Sequence, residues 1–134
     1  MKKSFLLFAA IHLLVFHATA SWQAPVTNYF QKEYNGGTQS WQIKQQQNGW
    51  MYFANNYGLL EFDGNSWQTY GIWNSTVIRS LEIDNKGTIY VGGADEYGKF
   101  TANKFGSLDY TPLSNTIPQR YKTFGEVWNI HTLN

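Results

Sequence analysis

The chain has 134 residues, 43% hydrophobic and 18% aromatic, with ten basic against nine acidic side chains and no cysteine. A formal net charge of +1 lacks the basic excess that phosphate neutralisation demands, which argues against nucleic-acid binding by these residues. The missing cysteines exclude a disulfide framework, a thiolate zinc site and a cysteine nucleophile, and the wealth of rings argues against disorder.

In chain order, residues 1–20 read as an export signal. Lys2 and Lys3 form a basic start, residues 5–16 an apolar run broken only by His12, and Ala18-Thr19-Ala20 a small-residue cleavage site before Ser21. A membrane span needs about 20 apolar residues, so the run is too short for one. Cleavage between Ala20 and Ser21 is expected, giving an exported, periplasmic product. It takes both lysines with it and leaves one more acid than base. Residues 21–38 then form a lead-in segment.

From there the chain reads as short strands bounded by Gly, Asn or Asp. Ser40-Trp41-Gln42-Ile43-Lys44 alternates, and Gln47-Asn48-Gly49 turns. Trp50-Met51-Tyr52-Phe53-Ala54 is continuously apolar, as a strand covered on both faces is. Asn56-Tyr57-Gly58 turns, Leu59-Leu60-Glu61-Phe62 is a third strand, Asp63-Gly64 a hairpin turn, and Ser66-Trp67-Gln68-Thr69-Tyr70 a fourth strand.

The pattern then returns. Val77-Ile78-Arg79-Ser80-Leu81-Glu82-Ile83, Thr88-Ile89-Tyr90-Val91-Gly92, Lys99-Phe100-Thr101 and Leu108-Asp109-Tyr110-Thr111 are the matching strands, with turns at Asn85-Lys86-Gly87 and Glu96-Tyr97-Gly98. Gly49 and Gly87 lie 38 apart and Gly58 and Gly98 lie 40 apart, which places a two-residue insertion in Ala94-Asp95-Glu96. Val127-Trp128-Asn129-Ile130-His131 echoes residues 40–44. Four short strands at a period near 40 match a β-propeller blade, and propellers close on about four to eight blades. The expected fold is therefore all-β, the N-terminal part of a propeller. Blade 1 spans residues 39–76, blade 2 spans 77–126, and 127–134 begin blade 3 as a fragment of a longer protein. A compact sandwich of about eight strands is the alternative.

Asn55-Asn56-Tyr57-Gly58-Leu59-Leu60-Glu61-Phe62-Asp63-Gly64-Asn65-Ser66-Trp67 resembles the two-component-regulator propeller repeat, with its Gly-Leu, aromatic, Asp-Gly and later aromatic. Tyr34-Asn35-Gly36-Gly37-Thr38-Gln39-Ser40-Trp41, Ile89-Tyr90-Val91-Gly92, Glu96-Tyr97-Gly98-Lys99-Phe100 and residues 127–131 widen the likeness to the triple-tyrosine sensor-regulators of Bacteroidetes-type bacteria. The resemblance implies a membrane-spanning, dimeric regulator. Its periplasmic propeller precedes a sandwich domain, one membrane helix, and a histidine kinase or helix-turn-helix output. It also implies sensing of an external ligand, often an oligosaccharide. The present residues contain no sandwich, membrane tether, kinase box or DNA-binding module.

Catalytic constellations are sparse. His131 is the only histidine beyond the signal and reads as a strand residue. Asp95-Glu96 point to opposite faces and suit neither acid–base catalysis nor a shared metal. Asp63-Gly64-Asn65 and Asp84-Asn85-Lys86-Gly87 lack calcium-loop spacing, and Asn74-Ser75-Thr76 fits a glycosylation sequon without weight in a bacterial product. No cofactor or metal is expected. Indoles can stack on sugar rings, but Trp41, Trp67 and Trp128 recur at repeat positions and are expected to pack between blades. Trp73, in the linker between copies, is the first candidate ligand contact, followed by the turn residues Asn55, Asn56, Glu96 and Tyr97. The expected function is non-enzymatic ligand sensing. The alternatives are a secreted propeller enzyme with its catalytic residues downstream and a simple carbohydrate- or protein-binding propeller.

Overall fold

The computed structural model describes residues 23–74 and 77–133; the expected export signal and the expected Ala20/Ser21 cleavage site lie outside them. The protein is all-β, with two antiparallel four-stranded sheets. The first contains β1 (Ser40–Gln45), β2 (Met51–Asn55), β3 (Gly58–Phe62) and β4 (Trp67–Tyr70), and the second β5 (Ile78–Ile83), β6 (Ile89–Gly93), β7 (Glu96–Ala102) and β8 (Leu108–Pro112). Each strand pairs with its sequence neighbour, so each sheet is a meander. All eight expected strands are present. A single turn of helix, α1 (Gln31–Tyr34), interrupts the lead-in segment, and two short 3-10 turns follow β8 at Ser114–Thr116 and Gln119–Tyr121.

The two sheets are copies in register as well as in order. Asn55 faces Gly58 across the β2–β3 turn, and Gly93 faces Glu96 across the β6–β7 turn. Each turn thus spans two residues, and the expected insertion in Ala94-Asp95-Glu96 is absent. Gly58 opens its strand while Gly98 lies inside one, so the two glycines are not equivalent. Gly98 answers to packing: a Cβ there would meet the hydroxyl of Tyr110, which crosses the β7 backbone to reach Glu96.

The sheets pack face to face, with β1 and β2 against β5. Strand alternation sends Tyr52, Ala54 and Leu59 of the first sheet toward Ile78, Leu81, Ile89, Val91 and Phe100 of the second, and Ile72 of the linker closes the same core. Burying such side chains contributes about 1.5–3 kcal/mol each. The opposite face of the first sheet carries Phe53, Phe62 and Trp67, and the lead-in segment covers it with Tyr29 and Tyr34. Of the three recurring indoles, Trp67 packs against the lead-in segment on the outer face of the first sheet and not between the two sheets, with a buried Nε1 that has no acceptor.

One carboxyl sits in the inter-sheet core. Glu61 is 5% exposed. It accepts the Tyr70 hydroxyl at 3.1 Å, while the hydroxyl of Tyr52, its cross-strand partner, is turned to Gln46 Oε1 at 3.2 Å. Glu61 Oε2 is left buried without a donor. Burial pushes this carboxyl above its ordinary value; the neighbouring Tyr52 and Tyr70 hydroxyls pull the other way, and the like charge of Asp63 adds to the rise.

After β8 the chain returns to β5. Val127 N–H donates to Gly93 O at 3.0 Å, Ser80 Oγ donates to Val127 O at 2.7 Å, and Ala94 and Glu126 form an isolated bridge. Residues 127–131 are not part of a strand, although they lie beside β5 where a further first strand was expected. Among the described residues no helix is long and apolar enough to cross a membrane.

Candidate functional site

Antiparallel order brings the β2–β3 turn, the β6–β7 turn, the β4–β5 linker and residues 122–128 to one end of the sheet pair. Of the five candidate residues, Asn56 sits in a turn and Trp73 in the linker, while Asn55 closes β2, Glu96 opens β7 and Tyr97 lies one residue inside β7. Asn56, Trp73 and Tyr97 retain exposure there; Asn55 and Glu96 do not.

Asn55 is 1% exposed, and its amide is fully used by the chain. Its Oδ1 accepts from Gly37 N–H at 2.7 Å and Tyr57 N–H at 3.0 Å, and its Nδ2 donates to Gly37 O and Gln39 O, both at 2.9 Å. It clamps the lead-in segment to the sheet, and Gly37 permits the approach, since a Cβ there would stand 2.7 Å from Asn56 Cβ. Asn55 has no capacity left for a ligand. Glu96 is equally withdrawn. Its carboxylate accepts the Tyr110 hydroxyl at 2.7 Å and the Ser114 hydroxyl at 2.9 Å, which fastens the 3-10 turn to β7. Burial and the facing Glu96 carboxylate raise the Tyr110 phenol well above its ordinary value, so it stays a donor. Asp95 and Glu96 do turn to different partners, though Asp95 is a left-handed turn residue and not part of the extended segment the sequence reading assumed. Asp95 adopts φ 51° and accepts Gly125 N–H at 2.6 Å.

What remains open at this end is aromatic. Trp73 is 81% exposed, Tyr57 64%, Trp128 53% and Trp41 37%. The expectation that Trp41 and Trp128 pack between blades is therefore not met: both rings line the open end. Tyr97 is half-buried against Phe124, with ring centroids 6.0 Å apart.

The cause is a pair of β-bulges. The β1–β2 register shifts between Ser40 and Gln42, and the β5–β6 register shifts between Ile78 and Ser80. The extra residues are Trp41 and Arg79, equivalent in the two copies, and a bulge re-aims the side chain it carries. Both swing to the same place, where Trp128, their counterpart in the returning segment, joins them. The rings of Trp41 and Trp128 meet edge to face at 5.7 Å, and the Arg79 guanidinium carbon lies 4.2 Å over the first and 4.9 Å over the second. Trp41 Nε1 donates to Asn56 Oδ1 at 2.8 Å, and Arg79 Nε donates to Glu126 Oε2 at 2.9 Å. Each cation–π contact contributes about 0.5–1 kcal/mol at such exposure.

Three residues along, the same row repeats as charge. Lys44 and Glu82, again equivalent, pair at 3.0 Å, and His131 Nδ1 lies 3.8 Å from Glu82. Burial tends to raise the Glu82 carboxyl, but the Lys44 hydrogen bond, the Ile83 N–H and the charges of Lys44 and His131 bring it below its ordinary value. This row links β1 to β5 across the two sheets. Among the described residues, no three His, Cys, Asp or Glu side chains gather as a metal site.

The sequence reading missed Arg79 and assigned Trp41 and Trp128 to packing. The signal was available: all three occupy one repeat position, so stacked copies bring them together. No protein-family model matches the chain, and neither a curated protein nor a solved structure matches it significantly.

Proposed function

We propose that the chain supplies the carbohydrate-recognising part of an exported β-propeller sensor. Its parent is a dimeric, membrane-spanning transcriptional regulator of the triple-tyrosine kind. Two meanders with one register, stacked through β1 and β5 and followed by a returning segment beside β5, are the arrangement that blades require. The exported location and regulatory output rest on the pattern of residues 1–20 and on the repeat residues 55–67.

The observation that carries the binding role is the set of exposed indoles at one end, Trp41 and Trp128 around a fixed guanidinium and Trp73 on the linker. Exposed rings grouped in this way mark an interaction surface, and indole faces suit the apolar faces of sugars. Ligand bound across both copies and the linker would favour one relative arrangement of the paired chains, and only differential affinity for the two arrangements transmits a signal. In this role the segment binds and does not catalyse.

The test is an oligosaccharide array probed with the chain and with Trp73→Ala. Binding of a defined set of glycans, weakened about tenfold or more by the substitution, is the expected result. Glycan binding that is insensitive to Trp73 moves the site elsewhere, and silence across the array removes the carbohydrate role.

A further inference from the structure

We propose that the open end selects saccharides bearing a carboxylate, with Arg79 as the residue that reads the charge. The inference rests on the carbohydrate-binding role above and names its ligand class. Arg79 is held on three sides: two indole faces and Glu126, which takes only Nε. Its terminal Nη groups have no hydrogen-bond partner among the described residues, and the side chain is 18% exposed. A guanidinium fixed by stacking with a free N–H fork matches the planar, bidentate geometry of a carboxylate. Trp128 and Trp41 give one face each to the guanidinium and stay partly exposed, and that exposed ring surface takes the apolar side of the sugar carrying the group.

Charge in the surroundings sharpens the expected behaviour. Glu126 offsets Arg79, and Asp95 stands on the neighbouring turn. The end therefore has no strong positive field, and recognition depends on short-range geometry more than on steering. Affinity for the acid should fall only modestly between low and physiological salt, unlike binding to a polybasic surface. Glu126 also competes with the ligand for the same guanidinium, so its removal should help binding while leaving the indole platform intact.

The probes are trigalacturonate and its methyl ester, titrated into the full chain and followed by tryptophan fluorescence. The ester keeps the ring shape and loses the charge. Preference for the acid of about tenfold or more is expected, together with a loss of that preference in Arg79→Lys, which keeps a cation and loses the fork. Glu126→Gln should bind the acid a few-fold tighter, and serves if Arg79→Lys disturbs folding as judged by circular dichroism. Equal affinity for acid and ester overturns the inference while leaving carbohydrate binding in place. So does an Arg79→Lys variant that retains the preference, or a Glu126→Gln variant that binds the acid no better. No response to either probe also overturns it, and the neutral glycans of the array then decide the wider role separately.

Discussion

At the scale of single residues, the polar side chains divide into those consumed by the fold and those left for chemistry. Asn55 belongs to the first group, with both amide atoms bonded to the lead-in segment and the adjoining turn. Asn55→Ala should cost about 2–3 kcal/mol, because it strands the buried Gly37 N–H, and should loosen residues 23–38. The shift of the urea midpoint checks it, with hydrogen exchange to locate the loosening. Glu61 is the opposite case, a buried acid with too few donors. Its folded-state pKa lies above the unfolded one, so its contribution is complete below about pH 4.3 and is lost as pH rises through the folded value. Glu61→Gln retains an acceptor for Tyr70 and offers an N–H toward Tyr52. Urea titrations should find it more stable than the parent at pH 7 by about 1 kcal/mol, with the difference vanishing near pH 4.

At the scale of elements, the bulges and the cross-sheet row set how the copies meet. The Lys44–Glu82 pair works in the other direction from Glu61. The Glu82 carboxyl is held below its ordinary value, so its contribution is present above about pH 4.3 and disappears as pH falls through the lowered folded value. Lys44→Met should remove much of that acid-side loss. Both side chains are partly exposed, which limits the effect at pH 7 to about 0.5–1 kcal/mol; thermal melts across pH 3 to 7 test it. Strand β7 shows a close-packing constraint of a different kind. Gly98→Ala would push the Tyr110 ring off the β7 backbone and break its bond to Glu96, at a cost of about 1–3 kcal/mol. Pairing the substitution with Tyr110→Ala should give less than the sum of the two, since the clash with the ring is gone, although the close approach to Thr111 O remains.

At the scale of the whole molecule, the lead-in segment serves as the cover of the first sheet. Tyr29 and Tyr34 lie on Phe62 and Trp67, with ring centroids 5.1–5.6 Å apart. Deleting residues 23–38 should expose this face. The truncated protein is expected to bind a hydrophobic dye and melt well below the parent, whereas Trp73→Ala at the open end should leave the melt unchanged, because that ring touches no core residue. The contrast separates aromatic residues that hold the molecule together from those available to a ligand.

Much of this was legible in the residues. Alternation, apolar runs and Gly-, Asn- and Asp-rich turns placed all eight strands and their repetition, because strand period and turn chemistry are local properties. The linker position of Trp73 likewise pointed to exposure. Local pattern could not reveal the fate of Asn55 and Glu96, since a turn amide or carboxylate looks the same whether it faces water or a distant segment. Asn55 is consumed by groups 15–18 residues away, and Glu96 by Ser114, 18 residues on. The insertion inferred from Gly58 and Gly98 failed for a related reason: one glycine serves a strand start and the other a ring packed over it. Sequence alone thus determined strands, turns and the repeat, which depend on neighbours in the chain. Only the tertiary structure decided that Trp41, Arg79 and Trp128 form one open cluster, because two bulges and the packing of successive copies bring together residues 38 and 49 positions apart.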